Sequence, residues 1–250
     1  KEIKKNNIFF GIRGKNSDGN KYANIAIKNG ASVSIIEKNY GKKIKNKIKV
    51  KNTLKFFTEC AAKIRASSDI IAIGITGSAG KTSLKELLGQ SLSKICKTTY
   101  SKKSFNNKYG VPVSLFNIGR RDNFGIFEIG MDKKGEINHL SKIVKPNIGV
   151  ITNISYAHSK NFNSLFDIAK AKSEIIDNII ENGSIVLNAD DKFYNYFKSK
   201  AQNRNLKIIS FSRKKKSNIQ LSKIKSFKNK SIIKININGR SKNFIIKRNL

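Results

Sequence analysis

The chain has 250 residues, 38% of them hydrophobic, and a formal net charge of +35 at pH 7. That apolar content suits one large or two small globular domains rather than a disordered chain. No apolar run is long enough for a membrane span or a signal peptide.

The charge does not by itself mark a nucleic-acid binder. It comes from lysines scattered through the whole chain, with isoleucine and asparagine also abundant, a bias that shared AT-rich codons produce. Specific readers of nucleic acid favour arginine for bidentate contacts. Attraction to polyanions at low salt is expected, but no specific nucleic-acid partner is, and Arg213-Lys214-Lys215-Lys216 reads as a solvated loop. Cys60 and Cys96 have no metal-type spacing and read as reduced thiols of a cytoplasmic protein, which we expect to be a monomer.

In chain order, Ile8 to Ile12 is an apolar strand, followed by a polar loop over 14–20 with an Asp18-Gly19 turn signal. Tyr22 to Ile27 suits a helix ending near Gly30, and Ala31 to Glu37 a second strand. The lysine-rich stretch 39–51 is predicted as loop, with Ile48-Lys49-Val50 as a short strand. Leu54, Phe57, Ala61 and Ile64 have helical spacing up to Ala66, and Ser67-Ser68-Asp69 forms a linker. Residues 1–68 thus make a small α/β unit, and residues 69–250 a second, larger one.

The second unit begins with the apolar run 70–75 and then Thr76-Gly77-Ser78-Ala79-Gly80-Lys81-Thr82-Ser83, leading into a helix-like segment to Ile95. Strand, glycine-rich turn, Lys-Thr and helix are the parts of a P-loop. Glycines let backbone N–H groups converge on phosphate oxygens, the helix presents its positive end, the lysine reaches the outer phosphates, and the threonine hydroxyl ligates Mg²⁺. We therefore expect this loop to bind a nucleoside triphosphate. It departs from the strict pattern at one point: Ile75 stands where the first glycine belongs.

Further strands are predicted at 97–100, 124–129, 148–152, 184–188 and 207–211, alternating with helices at 110–117, 135–142, 164–180 and 190–201. This alternation predicts a mostly parallel sheet covered by helices. Late in the chain, Ser231 to Ile237 and Asn243 to Lys247 flank Asn238-Gly239, a strong hairpin signal.

Three groups could carry chemistry at the strand ends. Glu128 closes the buried strand 124–129, where a carboxylate beside a P-loop supplies what a Mg²⁺–nucleotide site needs. His158 lies just past the strand 148–152 on the same rim, while His139 falls in an amphipathic helix and is expected to have no role. Asn106 and Asn107 lie in a polar loop before a helix, and Ala169 to Ile175 reads, in isolation, as an ordinary helix with exposed charges.

Together these stretches resemble the Mur ligase family, the ATP-dependent ligases that build the peptidoglycan stem peptide. The resemblance rests on Thr-Gly-Ser-Ala-Gly-Lys-Thr-Ser (76–83), Asn-Asn-Lys-Tyr-Gly-Val-Pro (106–112), Glu-Ile-Gly (128–130), Gly-Glu-Ile (135–137), Thr-Asn-Ile (152–154), His158, Ala-Lys-Ser-Glu-Ile (171–175) and Leu-Asn-Ala-Asp-Asp (187–191). It is greatest to the branch that joins D-Ala-D-Ala to UDP-MurNAc-tripeptide through an acyl phosphate. The segments Asn7 to Gly14 and Asp18 to Ala31 look like that branch's N-terminal domain for the uridine-nucleotide substrate. The family shares the shorter loop, so Ile75 is in keeping with it.

The resemblance implies roles residue by residue. Residues 76–83 would hold ATP, with Lys81 on its phosphates; Thr82 and Glu128 would hold one Mg²⁺; His158 and Lys172 would serve a second; Asn106 and Asn107 would lie near substrate or phosphate. Lys172 follows His158 by 14 residues and aligns with a lysine that several Mur ligases carbamylate. Two departures stand out. Lys103-Ser104 replaces a Gly-Asn pair, and the 250 residues stop where the family carries a Gly-x-His-Asn segment and a C-terminal domain, both expected to be absent from this piece. The chain lacks an initiating methionine, so both ends are expected to be cut, and the piece alone is expected not to ligate. Other readings are a different Mur or folylpolyglutamate-type ligase, a P-loop switch of another class, or an inactive homologue.

Overall fold

The computed structural model describes residues 3–14, 16–40, 44–156 and 161–247. They fall into two compact units that divide between Ala66 and Ser67.

The first unit has three parallel strands in the order β1 (Ile8–Phe10), β2 (Val33–Glu37), β3 (Lys47–Val50), with helices α1 (Ala23–Lys28) and α2 (Thr53–Ala66). Ala23, Ile36 and Ile44 form its core, with Phe9, Ile27 and Tyr40 packed against them. Asp18 organises the loop before α1. Its carboxylate accepts from the Asn20 backbone N–H and side-chain amide, at 3.0 and 2.7 Å, and from the Tyr40 hydroxyl. The Tyr40 bond, then the Asn20 bonds, hold its pKa down at about 2. Asn20 in turn accepts from the Glu37 N–H at the end of β2, at 2.9 Å.

The second unit is built on one nine-stranded sheet. Its strands are β4 (Ile71–Thr76), β5 (Thr98–Tyr100), β6 (Phe124–Glu128), β7 (Ile148–Ile151), β8 (Ser184–Asn188), β9 (Lys207–Ser212), β10 (Ile219–Ser226), β11 (Lys230–Ile237) and β12 (Arg240–Lys247). The order across the sheet is β12-β11-β10-β9-β8-β7-β4-β6-β5. β4 to β9 pair in parallel, as does β9 with β10, while β10, β11 and β12 are antiparallel. The helices are α3 (Lys81–Leu92), α4 (Gly110–Phe116), α5 (Glu136–Val144), α6 (Leu165–Asp177) and α7 (Tyr194–Gln202).

Strand periodicity assigns these helices to the two faces of the sheet. Ile73 and Ile75 point to one face, where they join Ile126 and Val150 under Leu84, Leu88 and Leu92 of α3. Gly74 points to the other, where Pro146, Ile129 and Ile175 of α6 come so close that a Cβ would lie 2.9 to 3.3 Å from them. Each fully buried aliphatic side chain in these layers contributes about 1.5–3 kcal/mol. Ile75 is 0% exposed, which explains its presence where a longer P-loop has glycine: β4 runs through it to Thr76, and the turn starts at Gly77.

Two expectations are extended by the structure. Asn238 and Gly239 have φ values of 48° and 84° and join β11 to β12 through a two-residue turn of the kind that needs left-handed backbone at both positions. This hairpin does not stand alone, because β10, to which no strand was assigned from sequence, links it to β9. Residues 213–216 form an exposed loop, as expected, and the backbone N–H groups of Arg213, Lys214 and Lys215 donate to the Asp190 carboxylate at 2.6 to 3.2 Å. Cys60 and Cys96 are free thiols. Among the described residues no helix is long and apolar enough to cross a membrane.

Candidate functional site

β4 lies beside β7, and the chain leaves β4 for β5 on one side of the pair and leaves β7 for β8 on the other, so the strand order reverses between them. In a doubly wound sheet the crevice outside the carboxyl end of such a strand is where ligands bind. The segment Gly77–Gly80 occupies that position, between the end of β4 and the start of α3.

Gly77 and Gly80 have φ values of 143° and 80°, both in the region that disfavours side chains. Gly77 is further constrained by proximity: a Cβ there would lie 1.9 Å from Thr152 Oγ1. The stretch after β7 braces the loop from this side. Asn153 O accepts from the Ser78 N–H at 2.9 Å and Asn153 Oδ1 from the Ala79 N–H at 3.1 Å. Thr152 Oγ1 donates to Ala79 O at 2.7 Å. Ser78 Oγ donates to Ser155 O and accepts from the Ser155 N–H, both at 2.9 Å. Gly80, in the N-cap position, offers no side chain to α3, so the helix begins with its first-turn N–H groups uncapped by a side chain, as an anion site requires. Thr76 is fully buried, and its hydroxyl has no hydrogen-bond partner among the described residues. Ala79 and Ser83 are exposed.

Lys81 and Thr82 open α3 and face inward. The Lys81 ammonium curls back to donate to Gly77 O at 2.8 Å and Ser78 O at 3.3 Å. Burial lowers its pKa, and the charge of Glu128 opposes that shift. Thr82 Oγ1 donates to Glu128 Oε2 at 2.8 Å, and Asn106 Nδ2 donates to Glu128 Oε1 at 2.8 Å. Glu128 ends β6 and is only 1% exposed; its N–H donates to Ser101 Oγ at 3.4 Å. The Asn106 carbonyl also accepts from the Gly130 N–H at 2.8 Å, which ties its loop to the Glu-Ile-Gly segment.

Lys172, on α6, is 2% exposed. This corrects the sequence-based picture of a helix with only exposed charges: Lys172 and Ser173 both face the interior. Burial first, and then the nearby charge of Lys81, lower the Lys172 pKa to about 7. Asn107 serves its own loop, with Oδ1 accepting from the Tyr109 and Gly110 N–H groups at 3.0 Å where α4 begins. His158 lies outside the described residues. His139 is exposed on α5.

The structure therefore gathers Lys81, Thr82, Glu128, Asn106 and, through its coupling to Lys81, Lys172. It adds Ser101, Thr152 and Asn153, which sequence reasoning did not single out as site residues. The signal for Thr152 and Asn153 was available, since they follow a buried strand on the same rim. A carboxylate and a hydroxyl are hard oxygen donors suited to Mg²⁺, which takes the rest of its shell from phosphates and water.

Residues 75–250 match the Mur ligase middle domain family. The UDP-N-acetylmuramoyl-tripeptide–D-alanyl-D-alanine ligase of Buchnera aphidicola subsp. Baizongia pistaciae is 36% identical over 229 residues, which is 91% of this chain and 49% of that protein. The enzyme of the same name from Rickettsia prowazekii is 38% identical over 223 residues, covering 88% of this chain and 49% of its own length. Among solved structures, MurF from Acinetobacter baumannii superposes with a TM-score of 0.87 at 26% identity, over 96% of this chain and 52% of that one. The chain spans about half the length of the curated relatives it matches.

Proposed function

This chain belongs to the Mur ligase family, and we propose that it is the part of an ATP-dependent peptide ligase that joins D-Ala-D-Ala to UDP-MurNAc-tripeptide. The observation that carries the proposal is the Thr82–Glu128–Asn106 cluster beside a P-loop whose lysine faces the same rim. Relatives named for this reaction over about nine-tenths of the chain support it.

In this reading residues 1–68 receive the uridine-nucleotide substrate and residues 69–250 the ATP. The N–H groups at the start of α3 and the Lys81 ammonium hold phosphate oxygens. The Lys81 ammonium lies at the Gly77 and Ser78 carbonyls, on the loop that would cradle those phosphates. Glu128 and Thr82 hold Mg²⁺, and Asn106 keeps the Glu128 carboxylate oriented. His158 and Lys172 serve a second ion. A neutral lysine amine is the form that carbon dioxide carbamylates, and Lys172, with its pKa near 7, reaches that form close to neutrality.

Magnesium, when bound, neutralises phosphate charge and lets a carboxylate approach ATP. The chain's own contribution is placement. The tripeptide's terminal carboxylate attacks the γ-phosphorus, ADP leaves, and the resulting acyl phosphate is open to the amine of D-Ala-D-Ala, with phosphate as the leaving group. Lys81 stabilises charge that builds during the first transfer.

The test uses the ligase that contains this chain. Lys81→Ala is expected to abolish acyl-phosphate formation and ligation, and unchanged ligation would sink the proposal. Assays with each UDP-muramyl peptide in turn separate this step from other ligases of the family.

A further inference from the structure

Lys85 is fully buried in the first half of α3 and has no part in the chemistry above. A buried ammonium is costly unless its donors are met. Here they meet the Glu86 carboxylate at 2.8 Å and the backbone carbonyl of Lys103 at 2.5 Å. Lys103 sits in the loop after β5 with φ 49°, left-handed backbone that is uncommon for a lysine.

The two ends of that loop are hydrogen-bonded to β6 and the residues just after it. At its start the Ser101 N–H donates to Ile126 O, and Ser101 Oγ accepts from the Glu128 N–H. At its end Asn106 donates to Glu128 and accepts from Gly130. Lys103, between them, is held from α3. Lys85 lies one helical turn beyond Lys81 and Thr82, so the helix that positions both of these also grips the loop that carries Asn106.

We propose that Lys85 is a positioning residue of the nucleotide–magnesium site: its ammonium, through the Lys103 carbonyl, sets the loop 101–106 so that Asn106 and Thr82 hold the two oxygens of Glu128 together. This rests on the assignment of Glu128 to the metal.

The experiment measures the dissociation constant of a non-hydrolysable ATP analogue with the full chain, with Mg²⁺ and with EDTA. The variants are Lys85→Met, Lys85→Gln, Asn106→Ala, Lys85→Met with Asn106→Ala, and Glu128→Gln. Lys85→Met and Asn106→Ala are each expected to weaken the Mg²⁺-supported affinity about 10-fold, and the double variant no more than the weaker-binding single one. Lys85→Gln, which keeps an N–H donor one bond shorter and buries no charge, should recover part of the loss. A purely structural lysine would lower thermal stability without that coupling or rescue. Wild-type affinity in Lys85→Met, or losses that multiply with Asn106→Ala, would overturn the proposal. Should Lys85→Met fail to fold, Lys85→Gln takes its place: a residual loss of Mg²⁺-supported affinity in Lys85→Gln that disappears in the Asn106→Ala background supports the proposal, and wild-type affinity in Lys85→Gln or losses that multiply with Asn106→Ala overturn it. If Glu128→Gln keeps the full Mg²⁺ effect, the metal assignment itself is wrong and this inference falls with it. Loss in Glu128→Gln with none in Lys85→Met overturns the inference alone.

Discussion

Thr82 Oγ1 and Glu128 Oε2 are 2.8 Å apart across 46 residues of sequence. The hydroxyl belongs to the first turn of α3 and the carboxylate to the end of β6, and β4 pairs with β6 so that Ile75 lies opposite Glu128. The hydrogen bond places two hard oxygen donors side by side, as the proposed Mg²⁺ site requires.

Thr82→Val keeps the shape of the side chain and removes the hydroxyl. Binding of an ATP analogue in Mg²⁺ is expected to weaken about 10-fold, the scale of one lost charge-assisted hydrogen bond or ligand. Binding in EDTA should change little. Calorimetry under both conditions checks this, and equal losses in both would show that Thr82 acts on the phosphates and not through the ion.

Replacing Ile75 with glycine would restore the strict P-loop pattern, and the structure argues that it would damage the protein. Ile75 is 0% exposed in the layer between the sheet and α3. Ile75→Gly is expected to cost about 3–5 kcal/mol from lost burial, a cavity and added chain entropy. Urea unfolding of the chain measures it, and a loss below about 1 kcal/mol would mean the layer closes over the gap.

The pKa of Lys172, about 7 in the folded chain against an ordinary 10.5, ties stability to pH. Between those values the unfolded chain binds the proton and the folded chain does not, so stability rises with pH across that window. Below about pH 7 both states are charged, and the folded state carries the full cost of a buried ammonium. With EDTA present, the chain should gain stability from pH 7 towards pH 9, and Lys172→Met should flatten that gain and be the more stable form at pH 6. Parallel slopes for the two proteins in denaturant titrations would refute the link.

Much of the fold was legible because it is written locally. Short apolar runs alternating with helical periodicity announced the parallel sheet, Asn238-Gly239 announced its turn, and the glycines and Lys81-Thr82 announced the strand–loop–helix at the end of β4. β10 was not legible. Most of its residues are exposed and rich in lysine and serine, and it is a strand because β9 and β11 offer it partners.

The sequence by itself determined which chemical groups are available and in what order: a P-loop, a carboxylate after a strand, an asparagine loop and a lysine on a helix. Only the tertiary structure decided which of them meet. The order of strands brings Glu128 to Thr82 and Asn106. The packing of α6 buries Lys172, and that of α3 buries Lys85, although both helices carry lysines that helical spacing alone cannot sort into buried and exposed. Periodicity acts between neighbours in the chain, whereas register and crossover act between segments tens of residues apart, and it is at that range that side chains acquire their partners and their charge.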